Sequence, residues 1–273
     1  PSTGAGPGLQ GNGFNLTKVG PGFLSIASQR SLGANTPYWQ MNLGDVLVSE
    51  GTLALAESVS LGNPAKNLTI NAGAILQLYN LALTNPIVRN VIVTDARILS
   101  DGGSGATNVI GGSINLTGAN NFHADQTAFI LDAAISGPGS MNISGVDPGG
   151  VYLNGANFYA GDTVVTNGLL GGTGSITGNL IMLGGTNSPG SATGGVGTFT
   201  VNGSAALAGT TLMELNRSQS PNSDRLVVGG TLSFGGKLTV ALATGATSPQ
   251  AGDVYQLFNK GSGSAFSAIS LPD

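Results

Sequence analysis

The sequence predicts an all-β protein, built as a parallel β-helix (β-solenoid) in a single elongated domain. Three observations predict this fold: 46 of the 273 residues are Gly, short apolar–polar alternations follow many of these glycines, and a longer phrase recurs along the chain. Frequent Gly disfavours helices and supplies tight turns. Alternation with a period of two is typical of half-buried strands. Repetition of such units indicates stacked, near-equivalent layers.

The short phrase is a Gly, a small or polar residue, and then alternating apolar and polar residues. Each copy predicts one turn followed by one strand, because apolar residues two apart fall on the same face of a strand. The six copies are residues 51–55, 112–116, 139–143, 197–201, 230–234 and 236–240.

The longer phrase starts at Leu116 and again at Leu153, and it closes at Gly137 and again at Gly172. A period in the range of roughly 20–50 residues is typical of solenoids, propellers and repeat arrays. No propeller blade signature is present, so stacked coils of about 20–25 residues fit better. Asn120 and Asn157 within these phrases are expected at turns, where their amides can bond between coils.

Stacked coils bury the apolar side chains that point inward, against neighbours about 4.8 Å away. The alternation predicts the following inward residues: Leu53, Leu55, Ile114, Leu116, Leu180, Met182, Val227, Leu232, Phe234, Leu238 and Val240.

Composition excludes several functional classes. Only 8% of the residues are charged, and the net charge of −4 rules out a strongly basic nucleic-acid footprint. The chain has no Cys, which excludes disulfides, Cys–zinc sites and cysteine nucleophiles. No apolar run approaches the ~20 residues that a membrane-spanning helix requires. A polar but uncharged surface suits secreted or fibrous proteins.

Several segments resemble the autotransporter-associated β-strand repeat. Residues 16–26 read LTKVGPGFLSI and are similar to the opening of that repeat, and 51–53 (GTL) resemble its closing strand. Residues 153–165 (LNGANFYAGDTVV) resemble the middle of that repeat. Residues 185–201 (GTNSPG, later followed by GTFTV) are similar to its later turn and the next strand. Residues 224–232 (DRLVVGGTL) resemble the segment that usually follows.

This resemblance covers most of residues 14–271, and it implies a right-handed β-helix of the passenger type. It also implies a secreted protein of the bacterial cell surface with a structural or adhesive role. The resemblance supplies no catalytic residues. We therefore expect no enzyme activity, no metal and no cofactor.

Parallel β-helices also include polysaccharide lyases and hydrolases, which cluster carboxylates with Arg or Lys on one face of successive coils. The candidates for such a cluster are Asp95 with Arg97, Asp101, and Asp125 with Asp132. Each Asp is equally typical of a turn, which is the interpretation we favour. His123 is the only histidine, and we expect it in a loop without a catalytic partner.

Two surface regions are candidates for glycan recognition. Tyr38 and Trp39 form an aromatic pair that could stack on a sugar, although a cap over an exposed coil is the alternative we favour. The second candidate is a loop expected at 120–123. An adhesin that binds surface glycans is therefore the alternative function.

The leading hypothesis is a non-catalytic structural protein that forms a fibre, filament or surface layer. Unpaired strand edges at the ends of a solenoid must be capped or paired, so we expect self-association by end-to-end stacking or strand exchange. Residues 1–13 are predicted to be a flexible arm, and 14–273 the solenoid. The predicted subunit-contact residues are Phe14, Asn15, Leu16 and Thr17, which follow this arm.

Overall fold

The computed structural model describes residues 11–27, 39–40, 42–57, 59–81, 83, 86–261 and 263–272. These residues form thirty strands and no helix. The first ten strands are β1 (Leu16–Lys18), β2 (Phe23–Ala27), β3 (Trp39–Gln40), β4 (Val46–Val48), β5 (Thr52–Ala56), β6 (Val59–Ser60), β7 (Asn67–Ile70), β8 (Ile75–Tyr79), β9 (Asn90–Thr94) and β10 (Arg97–Asp101).

The next ten strands are β11 (Thr107–Ile110), β12 (Ile114–Thr117), β13 (Ala119–Asp125), β14 (Ala128–Leu131), β15 (Ile135–Ser136), β16 (Ser140–Val146), β17 (Gly150–Leu153), β18 (Ala156–Asn157), β19 (Thr163–Val165) and β20 (Leu169–Gly172). The last ten are β21 (Ser175–Ile176), β22 (Leu180–Met182), β23 (Thr186–Pro189), β24 (Thr198–Val201), β25 (Ala205–Leu207), β26 (Thr210–Leu215), β27 (Arg225–Val228), β28 (Leu232–Phe234), β29 (Lys237–Leu242) and β30 (Ala268–Ser270).

The strands stack into long sheets that run along the molecule, and every pairing between them is parallel. The central sheet has ten strands, in the order β2-β5-β8-β10-β13-β16-β19-β22-β25-β28. A second sheet has eight strands, β11-β14-β17-β20-β23-β26-β29-β30. The remaining sheets are β1-β4-β7-β9-β12-β15, β18-β21-β24-β27 and the short pair β3-β6. The predicted all-β solenoid is confirmed.

Successive strands of one sheet belong to successive coils, so the register gives the length of a coil. In the central sheet Leu76 aligns with Ile98, 22 residues further on, and Ile98 aligns with Phe122 after another 24. Thr163 aligns with Leu180 after only 17 residues. Coils therefore vary in length at their corners while the stacked strands keep their register.

Each of the six short phrases opens a strand, as predicted: β5, β12, β16, β24, β28 and β29. The predicted inward residues that are buried are Leu53, Leu55, Ile114, Leu116, Leu180, Met182, Leu232, Leu238 and Val240. Val227 was predicted inward, but β27 buries Leu226 and Val228 instead. Phe234 is only partly buried, since it lies near the C-terminal end of the stack.

The longer phrase does not correspond to one coil. Leu116 lies in β12, whereas Leu153 lies in β17 of a different sheet. What the two copies share is a buried Asn. The Asn120 Oδ1 accepts from the amide of Ala96 in the preceding coil, and the Asn157 Oδ1 accepts from the amide of Ile135. Both Asn side chains bond to neighbouring backbone rather than to each other.

Polar side chains also form two columns along the stack, each at the entrance to a run of aligned strands. The first polar column consists of Asn15, Asp45, Asn67, Asn90 and Ser113, joined by successive hydrogen bonds of 2.8, 2.9, 3.0 and 2.9 Å. The second polar column consists of Asp162, Asn179, Ser204 and Thr231, joined at 2.9, 2.8 and 3.0 Å. These columns satisfy side-chain and backbone groups where the strands begin.

Candidate functional site

The N-terminal end of the stack is an open edge of the central sheet. Among the described residues, β2 pairs only with β5 on one side. Leu24 of β2 aligns with the fully buried Leu53, so its side chain is in the inward register. It is nevertheless 37% exposed, because no described strand lies beyond it. Phe14 and Val19, which lie on either side of β1 in sequence, are exposed too, so this end presents apolar surface.

The predicted subunit-contact residues lie at this same end. Leu16 and Thr17 belong to β1 and pair with Val46 and Leu47 of the same chain. The side chain of Asn15 accepts from the amide of Asp45 at 2.8 Å. Phe14, Asn15 and Thr17 are exposed, and Leu16 is half-buried. The predicted arm at 1–13 lies outside the described residues except for its last three positions.

The C-terminal end is partly covered. Phe234, Phe258 and Phe266 form an aromatic cluster, with the rings of Phe234 and Phe266 stacked 4.4 Å apart. Beyond them β30 pairs only with β29 in the described part of the chain. Ile269 of β30 aligns with the buried Leu238 and yet is 62% exposed. This end therefore also presents an inward-register apolar residue to solvent.

Of the aromatic pair predicted to stack on a sugar, only Trp39 lies among the described residues. Tyr38 lies outside the described residues. Trp39 belongs to β3 and pairs with Val59 of β6.

The acidic candidates divide into two groups. Asp95 lies in the turn after β9, where its carboxylate accepts from the amide of Ala119, and Asp132 follows β14 and accepts from Asn154. Asp101 and Asp125 end the neighbouring strands β10 and β13, one position beyond the aligned pair Ser100 and Ala124. The fold therefore brings these two carboxylates together on one face and separates the other two from them.

The expectation of a loop histidine is wrong. His123 lies in the middle of β13, and the predicted loop at 120–123 is part of this strand. Its Nδ1 lies 2.8 Å from the Ser144 hydroxyl of the next coil. Burial and the nearby Arg97 lower the pKa of His123, although Asp125 and Asp101 oppose them. The strict polar–apolar alternation of 121–125 was the signal in the sequence for this strand.

Among the described residues, Arg89 is the largest fully buried side chain, and sequence reasoning missed it. Its guanidinium donates to the carbonyls of Gly44 at 2.6 Å, Leu43 at 2.7 Å and Leu61. These acceptors lie in the coil that contains β4 to β6, so the side chain reaches back across the stack. Burial lowers the pKa of Arg89, and Asp45 opposes this effect.

Asp224 is a buried carboxylate between two later coils. It accepts from the amide of Gly197 at 2.9 Å and from that of Glu214 at 2.8 Å. Burial raises the pKa of Asp224 to about 7, despite these two hydrogen bonds. Burial also raises the pKa of the neighbouring Glu214.

The described residues contain no group of three or more His, Cys, Asp or Glu side chains placed to hold a metal ion. No helix long and apolar enough to cross a membrane occurs among them.

The fold and its ends define a parallel β-solenoid with exposed apolar edges. Comparisons of this chain with family models, with curated proteins and with solved structures found no match.

Proposed function

We propose that this protein is a non-catalytic structural solenoid of the bacterial cell surface, which self-associates end to end into filaments or a surface layer. One observation carries the proposal: Leu24 and Ile269 both occupy the inward register, and both are exposed at opposite ends of the stack. The charge-poor composition and the resemblance to autotransporter-associated repeats support the extracellular location.

End-to-end contact would bury both open ends in one step. A second copy stacked on the last coil would continue the parallel pairing and cover the apolar residues at the junction. Because the two ends differ, such a contact is heterologous and repeats without closing. A contact of this kind produces open filaments rather than closed dimers.

Electron microscopy and sedimentation velocity of the purified chain, over a range of protein concentrations, test this proposal. We expect filaments or a ladder of oligomers that grows with concentration. Leu24→Lys and Ile269→Lys each place a charge at one open end and are expected to raise the concentration needed for assembly by about tenfold or more.

Leu183→Lys is the matched control, because Leu183 is 64% exposed and follows β22, away from both ends of the stack. It is expected to leave assembly unchanged. A wild-type chain that stays monomeric at every concentration would overturn the proposal, as would assembly that persists in both end variants.

A further inference from the structure

The outward side of the central sheet carries a concentration of polar and charged side chains on successive coils. We call the following set the polar face: Gln77, Tyr79, Arg97, Asp101, Asn121, His123, Asp125 and Ser144. They belong to β8, β10, β13 and β16. The strand register forms one outward row of aligned residues, made of Gln77, Leu99, His123 and Ser144. In the row beside it, Arg97 aligns with Asn121.

A cavity of about 490 Å³ adjoins the polar face and is lined by residues of β2, β5 and β8. Its lining is mostly apolar, with the aromatic rings of Phe23 and Tyr79 and small alanines, including Ala54 and Ala56, from the strand between them. Gln77 and Tyr79 belong to both the cavity and the polar face. The two features therefore form one continuous surface along the axis of the solenoid.

Part of the polar face is ordered by its own hydrogen bonds. The Gln77 amide donates to the Asp101 carboxylate at 2.7 Å. The Ser144 hydroxyl lies 2.8 Å from His123 Nδ1 and accepts from the Asn121 amide at 3.1 Å. Side chains held in this way lose little conformational entropy when they bind a ligand.

Other groups on this face have hydrogen-bonding capacity left over. The Nε of Arg97 is buried, but no hydrogen bond from its two terminal guanidinium nitrogens occurs among the described residues. No hydrogen bond to the side chain of Asp125 occurs among the described residues. The face holds one Arg and two Asp side chains, and Glu57 lines the adjoining cavity. Burial favours neutral His123 by lowering its pKa. The face therefore has no charge excess suited to a polyanion.

We propose that the polar face and its cavity bind a neutral oligosaccharide that lies along the solenoid axis. A sugar ring has an apolar face that packs on aromatic and small apolar side chains, and hydroxyls at its edge that take both donors and acceptors. Phe23 and Tyr79 supply the aromatic surface, and Arg97 and Asp125 supply an unused donor and acceptor. The six coils from β2 to β16 extend over about 24 Å, which is long enough for several sugar units.

Isothermal titration of the full chain tests this proposal with neutral hexasaccharides of glucose, mannose and N-acetylglucosamine, and with hexagalacturonate as the anionic probe. We expect at least one neutral hexasaccharide to bind with a Kd between about 10 µM and 1 mM. Tyr79→Ala and Arg97→Ala are each expected to weaken that binding by about tenfold. Circular dichroism and thermal unfolding would show that the variants fold.

Phe158→Ala is the matched control, since Phe158 is an exposed aromatic residue just after β18, outside the central sheet. It is expected to leave the affinity unchanged. The proposal is overturned if no neutral hexasaccharide binds at about 5 mM, if Tyr79→Ala and Arg97→Ala leave binding intact, or if hexagalacturonate binds more tightly. Tyr79 and Arg97 lie on β8 and β10 rather than on the edge strand β2, so these two substitutions test binding separately from assembly.

Discussion

Each half of the solenoid buries an ionisable side chain that bonds to the backbone, and the two side chains are of opposite charge type. The first polar column, which begins at Asn15, accompanies the buried cation Arg89. The second polar column, which begins at Asp162, accompanies the buried anion Asp224. Arg89 donates to backbone carbonyls, whereas Asp224 accepts from backbone amides. In each half, this side chain forms hydrogen bonds with backbone groups that lie outside the pairing between strands.

This difference predicts different responses to pH. A guanidinium stays protonated in proteins, so the bonds of Arg89 persist at every ordinary pH. The carboxyl group of Asp224 has a pKa of about 7 in the folded state, so its protonation changes in the neutral pH range. The N-terminal half is therefore expected to be insensitive to pH at its buried charge, and the C-terminal half to be sensitive.

The largest effect is expected from Arg89→Met, which keeps much of the side-chain volume but removes every donor. The carbonyls of Leu43, Gly44 and Leu61 would then be buried without these bonds. We expect a loss of about 3 kcal/mol in the free energy of unfolding, measured by chemical denaturation.

Arg217→Met is the control for this variant, because Arg217 is partly exposed and pairs with Asp253 at the surface. It should cost no more than about 0.5 kcal/mol. A cost as small as this for Arg89→Met would show that the buried guanidinium contributes little to stability.

The next effect is the pH dependence that Asp224 produces. Its folded pKa of about 7 lies above the usual value of 3.8, so the folded state binds the proton more tightly than the unfolded state. The resulting stability is fully present below pH 3.8 and is lost as the pH rises through about 7. Between pH 5 and pH 8, we expect a loss of about 2 kcal/mol.

Asp224→Asn isolates this contribution from those of other groups. Glu214 acts in the same direction as Asp224, whereas the lowered pKa of His123 acts in the opposite direction. The difference in unfolding free energy between wild type and Asp224→Asn should therefore fall by about 2 kcal/mol from pH 5 to pH 8. An equal difference at both pH values would contradict the assignment.

The sequence predicts which strand residues face the core better than it predicts the hydrogen bonds between coils. Ile114 and Leu116 are buried as predicted, because they alternate with polar residues and only one register buries both. Val227 was misassigned because residues 226–228 are all apolar, so alternation alone leaves the register open. The neighbouring strand β24 fixes the register of β27, because its Phe199 and Val201 align with Leu226 and Val228.

Contacts between coils are harder to predict, because they join residues far apart in sequence. Arg89 bonds to Gly44, 45 residues earlier, and no local motif signals this contact. The pairing of Asp101 with Asp125 on one face depends on the length of the coil between them. His123 is different, since the alternation in its own strand was sufficient to predict its position.

The smallest effects are expected within the polar columns, and they sharpen the comparison between the two halves. The side-chain Oδ1 of Asn67 accepts from the Asn90 side chain in the first column, and the Ser204 hydroxyl accepts from the Thr231 amide in the second. Asn67→Ala and Ser204→Ala are each expected to cost about 1 kcal/mol in unfolding free energy. Because the two sites lie in different columns and share no partner, the double variant should lose the sum of the two costs. A double variant that loses clearly more than this sum would show that the two halves are energetically coupled along the stack, despite their separate buried charges.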